Sequence, residues 1–315
     1  MKKKVLLIVG PTGVGKTALS LELAKQLDAE IVSADSRQVY RYMNIGTAKP
    51  SPEQLAAVPH HFIDIVDPDK YYSAGQFGRE ARAVITDILK RGKQPLVVGG
   101  SGLYIRALVD GLFEPKIADD TIKGALKEEA RHMGIPAMYE KLQRVDPATA
   151  EQLHPTDTQR ILRALEVYQI TGRPFSEYLK IPPQPAEFEP VFIGLFLERR
   201  KLYARIEARL DAMIAAGFME EVKELQQRGY SLHLNALQTV GYKEAFQFLH
   251  NEIAYSAMMN LIKQKSRNYA KRQLTWFRKD PRVQWLDVGS FASITDLAGE
   301  ISRALSKDFF LAFDA

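Results

Sequence analysis

The segment Gly10-Pro-Thr-Gly-Val-Gly-Lys-Thr17 limits what this chain can fold into more than any other feature. It matches the G-x-x-x-x-G-K-[ST] phosphate-binding loop. An apolar run, Val5 to Val9, precedes it, and residues 17–27 follow with Leu19, Leu23 and Leu27 on one helical stripe. By average residue frequencies the pattern would arise by chance in roughly 1% of chains this long. The strand before it and the helix after it are the context the motif requires. Gly10, Gly13 and Gly15 permit the backbone to turn successive N–H groups toward one anion. Lys16 adds a mobile cation, the Thr17 hydroxyl can hold Mg²⁺, and the helix N-terminus points its positive end at the same place. Gly10, Thr12, Gly13, Val14, Gly15, Lys16 and Thr17 are therefore the candidate cradle for a di- or triphosphate, ATP included.

The pattern continues as strands alternating with helices. Residues 29–34 read as a second strand and 61–66 as a third. Ser73 is placed to cap an amphipathic helix that runs to Arg91 and stops at Gly92. Pro95 to Val98 is a buried strand, and Gly99-Gly-Ser-Gly102 opens the next helix. Such alternation predicts an α/β fold with a mostly parallel sheet. From 118 to 179 the chain reads as helix after helix, broken at Pro136, Pro147, Pro155 and Gly172-Arg-Pro174. Ile181-Pro-Pro-Gln-Pro185 reads as a stiff linker, and Val191 to Leu197 returns to strand. Helices at 201–216 and 252–279, a strand at 283–288 and a helix at 294–305 complete the chain. The expected architecture is a P-loop NTPase-like parallel sheet core, 1–114 with 191–315, carrying an inserted all-helical domain at 115–190.

Composition narrows the chemistry. The chain has 315 residues, 46% of them hydrophobic, which excludes a disordered or fibrous protein. It has no cysteine, which excludes disulfides, thiolate metal centres and a cysteine nucleophile. The formal charge of +5 is only a mild positive excess. No apolar run is long enough to cross a bilayer. The basic start, Met1-Lys-Lys-Lys4, resembles a signal peptide, but its apolar run ends at Gly10-Pro11 with no cleavage site. A cytoplasmic protein is expected, without membrane contact.

A phosphate-binding loop leaves three classes open: phosphoryl transfer, a nucleotide switch, and a reaction in which diphosphate leaves. Asp35, after the second strand, falls at the carboxyl end of the sheet, where ligands bind. It could serve Mg²⁺ through water, accept a proton, or only cap a turn. Gln38 could read a base edge, and Arg37 and Arg41 could meet phosphates. Arg205 and Arg209 lie four apart on one helix and could clamp an anion. Lys263 to Arg282 is strongly basic and carries Tyr269, Trp276 and Phe277, a composition that suits RNA and equally suits a solvated helix with an aromatic stripe.

GPTGVGKT, DSRQVYR, GGSGLYIRAL, TDTQRILRALEVYQITGRP, QTVGYKE and KRQLTWFRK occur in this order. Together they closely resemble the bacterial tRNA dimethylallyltransferases, over about residues 4–288. The resemblance implies transfer of a dimethylallyl group from dimethylallyl diphosphate to N6 of adenine 37, next to the anticodon. It implies Asp35 as general base, Thr17 on diphosphate and Mg²⁺, and Arg205 on diphosphate. It implies tRNA contacts from Asp35, Ser36, Arg37 and Gln38, from Gln159, Arg160, Ile161, Leu162 and Arg163, and from Ser101 and Lys123. Lys271 and Arg272 of the basic helix complete the expected RNA grip. The partner would be a tRNA anticodon stem-loop, and the protein a monomer. Without cysteine there is no counterpart of the zinc finger of some eukaryotic relatives. A nucleotide or small-molecule kinase, and an isopentenyltransferase acting on free adenine nucleotides, are the alternatives.

Overall fold

In a computed structural model, which describes residues 2–112 and 119–308, the chain forms two compact units. The larger comprises Met1–Val109 with Pro185–Ala315, and the smaller is Asp110–Gln184. The expected boundary at 114/115 lies outside the described residues; the one expected at 190/191 compares with Gln184/Pro185.

The larger unit is built on six parallel strands: β1 (Lys4–Val9), β2 (Ala29–Ser33), β3 (His60–His61), β4 (Gln94–Gly99), β5 (Glu189–Phe196) and β6 (Val283–Asp287). Their order is β3-β2-β4-β1-β5-β6. β1 is an interior strand, registered through Val9 with Gly99 on one side and Gly194 on the other. Five consecutive residues of β1, Val5 to Val9, are buried, as a strand covered on both faces requires. The chain leaves β1 for β2 on one side and later returns to β5 on the other. The crevice beyond the carboxyl end of β1 is thus a switch point of the kind where ligands bind.

Helices α1 (Lys16–Gln26), α2 (Pro52–Ala57), α3 (Ala74–Lys90) and α4 (Gly102–Val109) connect the first strands. The Ser73 hydroxyl accepts the Gln76 N–H at 3.0 Å, so α3 starts where the cap predicts, and Gly92 at φ 75 follows its end. The smaller unit holds α5 (Asp120–Val145), α6 (Pro147–Glu151), α7 (Thr158–Thr171) and α8 (Phe175–Leu179). α5 breaks at Gly134, φ 80 and ψ 159, two residues before Pro136. Its core is Leu126, Met138, Leu142, Ala150, Ile161, Ala164 and Leu165. Buried Asp146 accepts the Thr149 and Ser176 N–H groups at 3.1 and 2.8 Å, tying the starts of α6 and α8 together. The larger unit then resumes with α9 (Arg199–Ala215), α10 (Phe218–Gln227), α11 (Tyr242–Leu249), α12 (Tyr255–Phe277) and α13 (Ile294–Asp308).

One expected strand is corrected. Residues 61–66 do not extend as a strand; β3 stops at His61 because Phe62 and Asp64 take φ of 67 and 55. The segment folds back instead on residues 38–41. Asp64 N–H reaches the Gln38 carbonyl at 3.1 Å, and Arg41 N–H reaches the Val66 carbonyl at 2.8 Å. Its partners are thus residues 38–41 rather than a strand of the sheet, through a single parallel bridge between Tyr40 and Val66. The helix expected from residue 252 begins at Tyr255.

Candidate active site

The loop between β1 and α1 has the backbone its glycines foretell. Gly10, Gly13 and Gly15 lie at φ of 146, 80 and 111, where a side chain is strained. A Cβ on Gly10 would stand 2.6 Å from the Leu195 carbonyl oxygen of the neighbouring strand. Val14 is fully buried in the core, so only its backbone could serve the expected anion cradle. Lys16 Nζ donates to the Gly10 and Pro11 carbonyls at 2.9 and 2.8 Å, which leaves a third donor for a phosphate oxygen. Burial pulls the Lys16 ammonium down to about 8; nearby Asp35 opposes the shift and Arg209 adds to it. Thr17 is exposed at the start of α1.

A cavity of about 440 Å³ opens over this loop. Thr12, Gly13, Gly15, Lys16, Thr17, Asp35 and Gln38 line it, so seven expected residues meet in one place. Asp35 Oδ1 accepts the Arg37 and Gln38 N–H groups at 2.8 and 3.4 Å. The carboxylate therefore does cap the turn after β2, and it also faces the cavity; both bonds fall on Oδ1, and Oδ2 keeps its lone pairs for a substrate. Gln38 is committed to the protein: Ser33 Oγ donates to it at 3.2 Å, and its Nε2 reaches the Thr47 and Ala48 carbonyls at 3.3 and 3.1 Å. That bond holds the wall formed by Thr47 to Pro50. Ile31, Ile63, Pro50 and Val98 give the same cavity apolar surface.

Other expected residues are placed elsewhere. Arg205 is exposed and donates to the Val14 carbonyl at 3.4 Å, outside the cavity lining. Arg209, one turn on, lines the cavity and donates to Thr12 Oγ1 at 2.6 Å. Arg37 and Ser36 are half-buried, and Arg37 holds the Asn235 carbonyl at 2.9 Å. Ser101 is half-buried, its N–H on the Ala34 carbonyl at 3.3 Å. Lys271 and Arg272 are exposed on α12, Arg272 with its guanidinium 5.8 Å from the Tyr269 ring centre. In the smaller unit, Gln159 and Arg160 are exposed, Lys123 and Leu162 are half-buried, and Arg163 pairs with Glu166 at 3.0 Å. The Ile161 side chain is 0% exposed in the core of that unit, so only its backbone is left for the expected RNA contact. The helical period turns it inward while Gln159 and Arg160 before it stay exposed.

Three residues were not anticipated for the site. Glu221 accepts the Asn44, Ile45 and Gly46 N–H groups at 2.7, 2.7 and 3.1 Å and the Tyr242 hydroxyl at 2.6 Å, anchoring the segment that leads into the cavity wall. Lys49, on that wall, donates to the Tyr40 carbonyl at 2.6 Å and to Asp64; burial lowers its ammonium pKa. Gln273 of α12 accepts the Thr12 N–H at 2.8 Å. Tyr269 also lines the cavity; burial, then the Asp35 carboxylate, push its hydroxyl up to about 12. Glu221 and Lys49 sit in no pattern that sequence reading flags; Gln273 lies inside the KRQLTWFRK block, but nothing in that block shows its tie to Thr12, 261 residues away.

Fold and site define a parallel α/β protein of P-loop-like type, with a glycine-rich loop, a lysine and a carboxylate lining one cavity. The family model for IPP transferase matches residues 38–280. The tRNA dimethylallyltransferase of Geobacter sulfurreducens is 47% identical over 301 residues, 94% of this chain and 96% of that protein. Its counterpart from Carboxydothermus hydrogenoformans is 45% identical over 300 residues, again 94% and 96%. Among solved structures, the full-length tRNA isopentenylpyrophosphate transferase of Bacillus halodurans aligns with a TM-score of 0.71 at 38% identity, over 99% of this chain and all of that one. A eukaryotic dimethylallyltransferase crystallised acting on tRNA aligns with a TM-score of 0.83 at 30% identity, over 98% of this chain and 80% of that one. The chain belongs to the tRNA dimethylallyltransferase family.

Proposed function

We infer that this chain transfers the dimethylallyl group of dimethylallyl diphosphate to N6 of adenine 37 in tRNA. The observation that carries the reading is the meeting of an anion cradle, apolar walls and the Asp35 carboxylate in one cavity. The N6–C1 bond forms as the C1–O bond breaks, and diphosphate leaves with the electron pair. Asp35 accepts the N6 proton, which makes up for the weak nucleophilicity of an amine conjugated with its ring. The loop N–H groups, Lys16 and Arg209 neutralise the charge that grows on the leaving diphosphate. Arg205 acts on the loop through Val14, which differs from direct contact with diphosphate. The apolar walls receive the five-carbon group and keep water from the allylic cation-like centre.

Among the described residues no group of three or more His, Asp or Glu side chains could hold a metal alone. The exposed Thr17 hydroxyl on the cavity would hold Mg²⁺ that arrives with a diphosphate, which supplies most of its oxygens. Bound there, the ion would add positive charge at the leaving group. The RNA side would use exposed cations and polar groups: Gln159 and Arg160 on the smaller unit, Lys271 and Arg272 on α12. Among the described residues no helix is long and apolar enough to cross a membrane.

The test is a mass-spectrometric transfer assay with unmodified tRNA, free AMP, dimethylallyl diphosphate and ATP in separate arms. One five-carbon unit on an anticodon-loop adenosine, only with the allylic diphosphate, supports the reading. Modification of free AMP, or transfer of a phosphate from ATP, would replace it with one of the two alternatives.

A further inference from the structure

Beyond Val9 and Gly99 the ladder between β1 and β4 ends, and the chain enters two glycine-rich turns, 10–17 and 99–102. Backbone groups just past the end of a ladder need other partners when they are buried. One side chain serves both turns. Gln273, 6% exposed on α12, accepts the Thr12 N–H at 2.8 Å through Oε1 and donates from Nε2 to the Gly100 carbonyl at 3.0 Å. Its carboxamide stands where a further peptide group of a ladder would stand, one acceptor and one donor. Room for it exists because residue 100 has no side chain: a Cβ there would lie 2.1 Å from Gln273 Nε2.

Two neighbours on the same helix face join this contact. Tyr269, four residues before, lines the cavity, and Trp276, three residues after, lies over Gly102, where a Cβ would come within 2.1 Å of its Nε1. Thr12 is held a second time, by Arg209 on its hydroxyl. The Thr12 N–H is thereby committed to Gln273 and is not among the donors open to an anion. Gln273, which itself lines the cavity, thus sets the loop's geometry through its carboxamide.

We propose that Gln273 is a positioning residue for group transfer: its carboxamide fixes the diphosphate loop to the second glycine turn, which carries Ser101 and closes on the Ala34–Asp35 segment. The proposal rests on the reading that the loop holds a leaving diphosphate. It goes further by making the distance between leaving group and proton acceptor depend on one amide. The Ser101 N–H bond to the Ala34 carbonyl, 3.3 Å, continues the connection to the turn that Asp35 caps.

The test compares Gln273→Met, which keeps volume and removes the Thr12 and Gly100 bonds along with the side-chain contact to Tyr269, with Gln273→Glu, which keeps the Thr12 bond and sets an oxygen against the Gly100 carbonyl. Wild-type transfer in the same assay is measured first; its failure would refute the proposed reaction and would be read before any variant. Inorganic diphosphate binding by calorimetry then still reports on the loop. The expected result is a kcat at least tenfold lower in both variants, a severalfold higher KM for dimethylallyl diphosphate, and a tRNA Kd within twofold of wild type. Gly100→Ala pushes the same carboxamide aside and is expected to reproduce the loss. The double variant Gly100→Ala/Gln273→Met is expected to be no worse than the poorer single variant, because both remove one contact. If Gln273→Met fails to fold, Gln273→Glu and Gly100→Ala carry the comparison. Normal kcat and KM in the folded variants, losses that multiply in the double variant, or an equal loss of tRNA affinity would overturn the proposal.

Discussion

The phosphate loop at 10–17 and the segment 159–163 of α7 are both contiguous motif blocks, yet they work differently. In the loop, most residues serve one place. Positive φ at three glycines aims backbone groups inward, Lys16 folds over its own carbonyls, and Thr12 is held from α9 and α12. In α7 the helical period divides the block. Ile161 packs into the core of its unit while Gln159 and Arg160 face solvent. A motif on a loop can be functional along its whole length. A motif on a helix is functional on one face and structural on the other.

The sharpest test of the site side is Asp35→Asn. Turnover should fall by about 10²–10⁴, with tRNA affinity retained; near-normal turnover would remove Asp35 as the proton acceptor. Gly10→Ala should abolish diphosphate binding, because the new Cβ meets the backbone of Leu195 at 2.6 Å and neither element can yield. Calorimetry with inorganic diphosphate would detect retained binding and so contradict the reading of the loop.

On the helix side, Ile161→Ala should destabilise the protein by about 2–5 kcal/mol through a cavity. Arg160→Ala should leave the thermal midpoint in place and weaken tRNA binding severalfold. Denaturant titration and filter binding together separate the two effects. If both substitutions lower only RNA affinity, the division between faces is wrong.

The smallest expected effect concerns Lys16. Its ammonium is lowered to about 8 by burial, so above that pH the lysine is mostly neutral without a ligand. An anion favours the charged form, so binding must take up a proton there, and affinity should fall as pH rises through about 8. The sign for folding is the reverse. Between about 8 and the ordinary lysine value the unfolded chain holds more protons, so this group's contribution to stability grows with pH. Calorimetry at pH 9 in buffers of different ionisation enthalpy would measure the uptake, and none detected would mean Lys16 is charged throughout.

Local patterns determined much of this protein. A continuous apolar run before a glycine-rich turn sufficed for β1 and the loop, and a serine before an amphipathic stretch sufficed for α3, because those structures depend on neighbours within a few residues. The strand expected at 61–66 shrank to two residues, since pairing is chosen by partners elsewhere in the chain. The same distance hid the contacts of Gln273 and Glu221 and the greater reach of Arg209 over Arg205. Helical spacing brought the two arginines to one face, but only the packing of α9 against the loop decided which guanidinium enters the cavity. Residue types and short spacings thus named the chemistry. Contacts between segments up to 261 positions apart, formed only when the sheet and α12 assemble, decided how that chemistry is held.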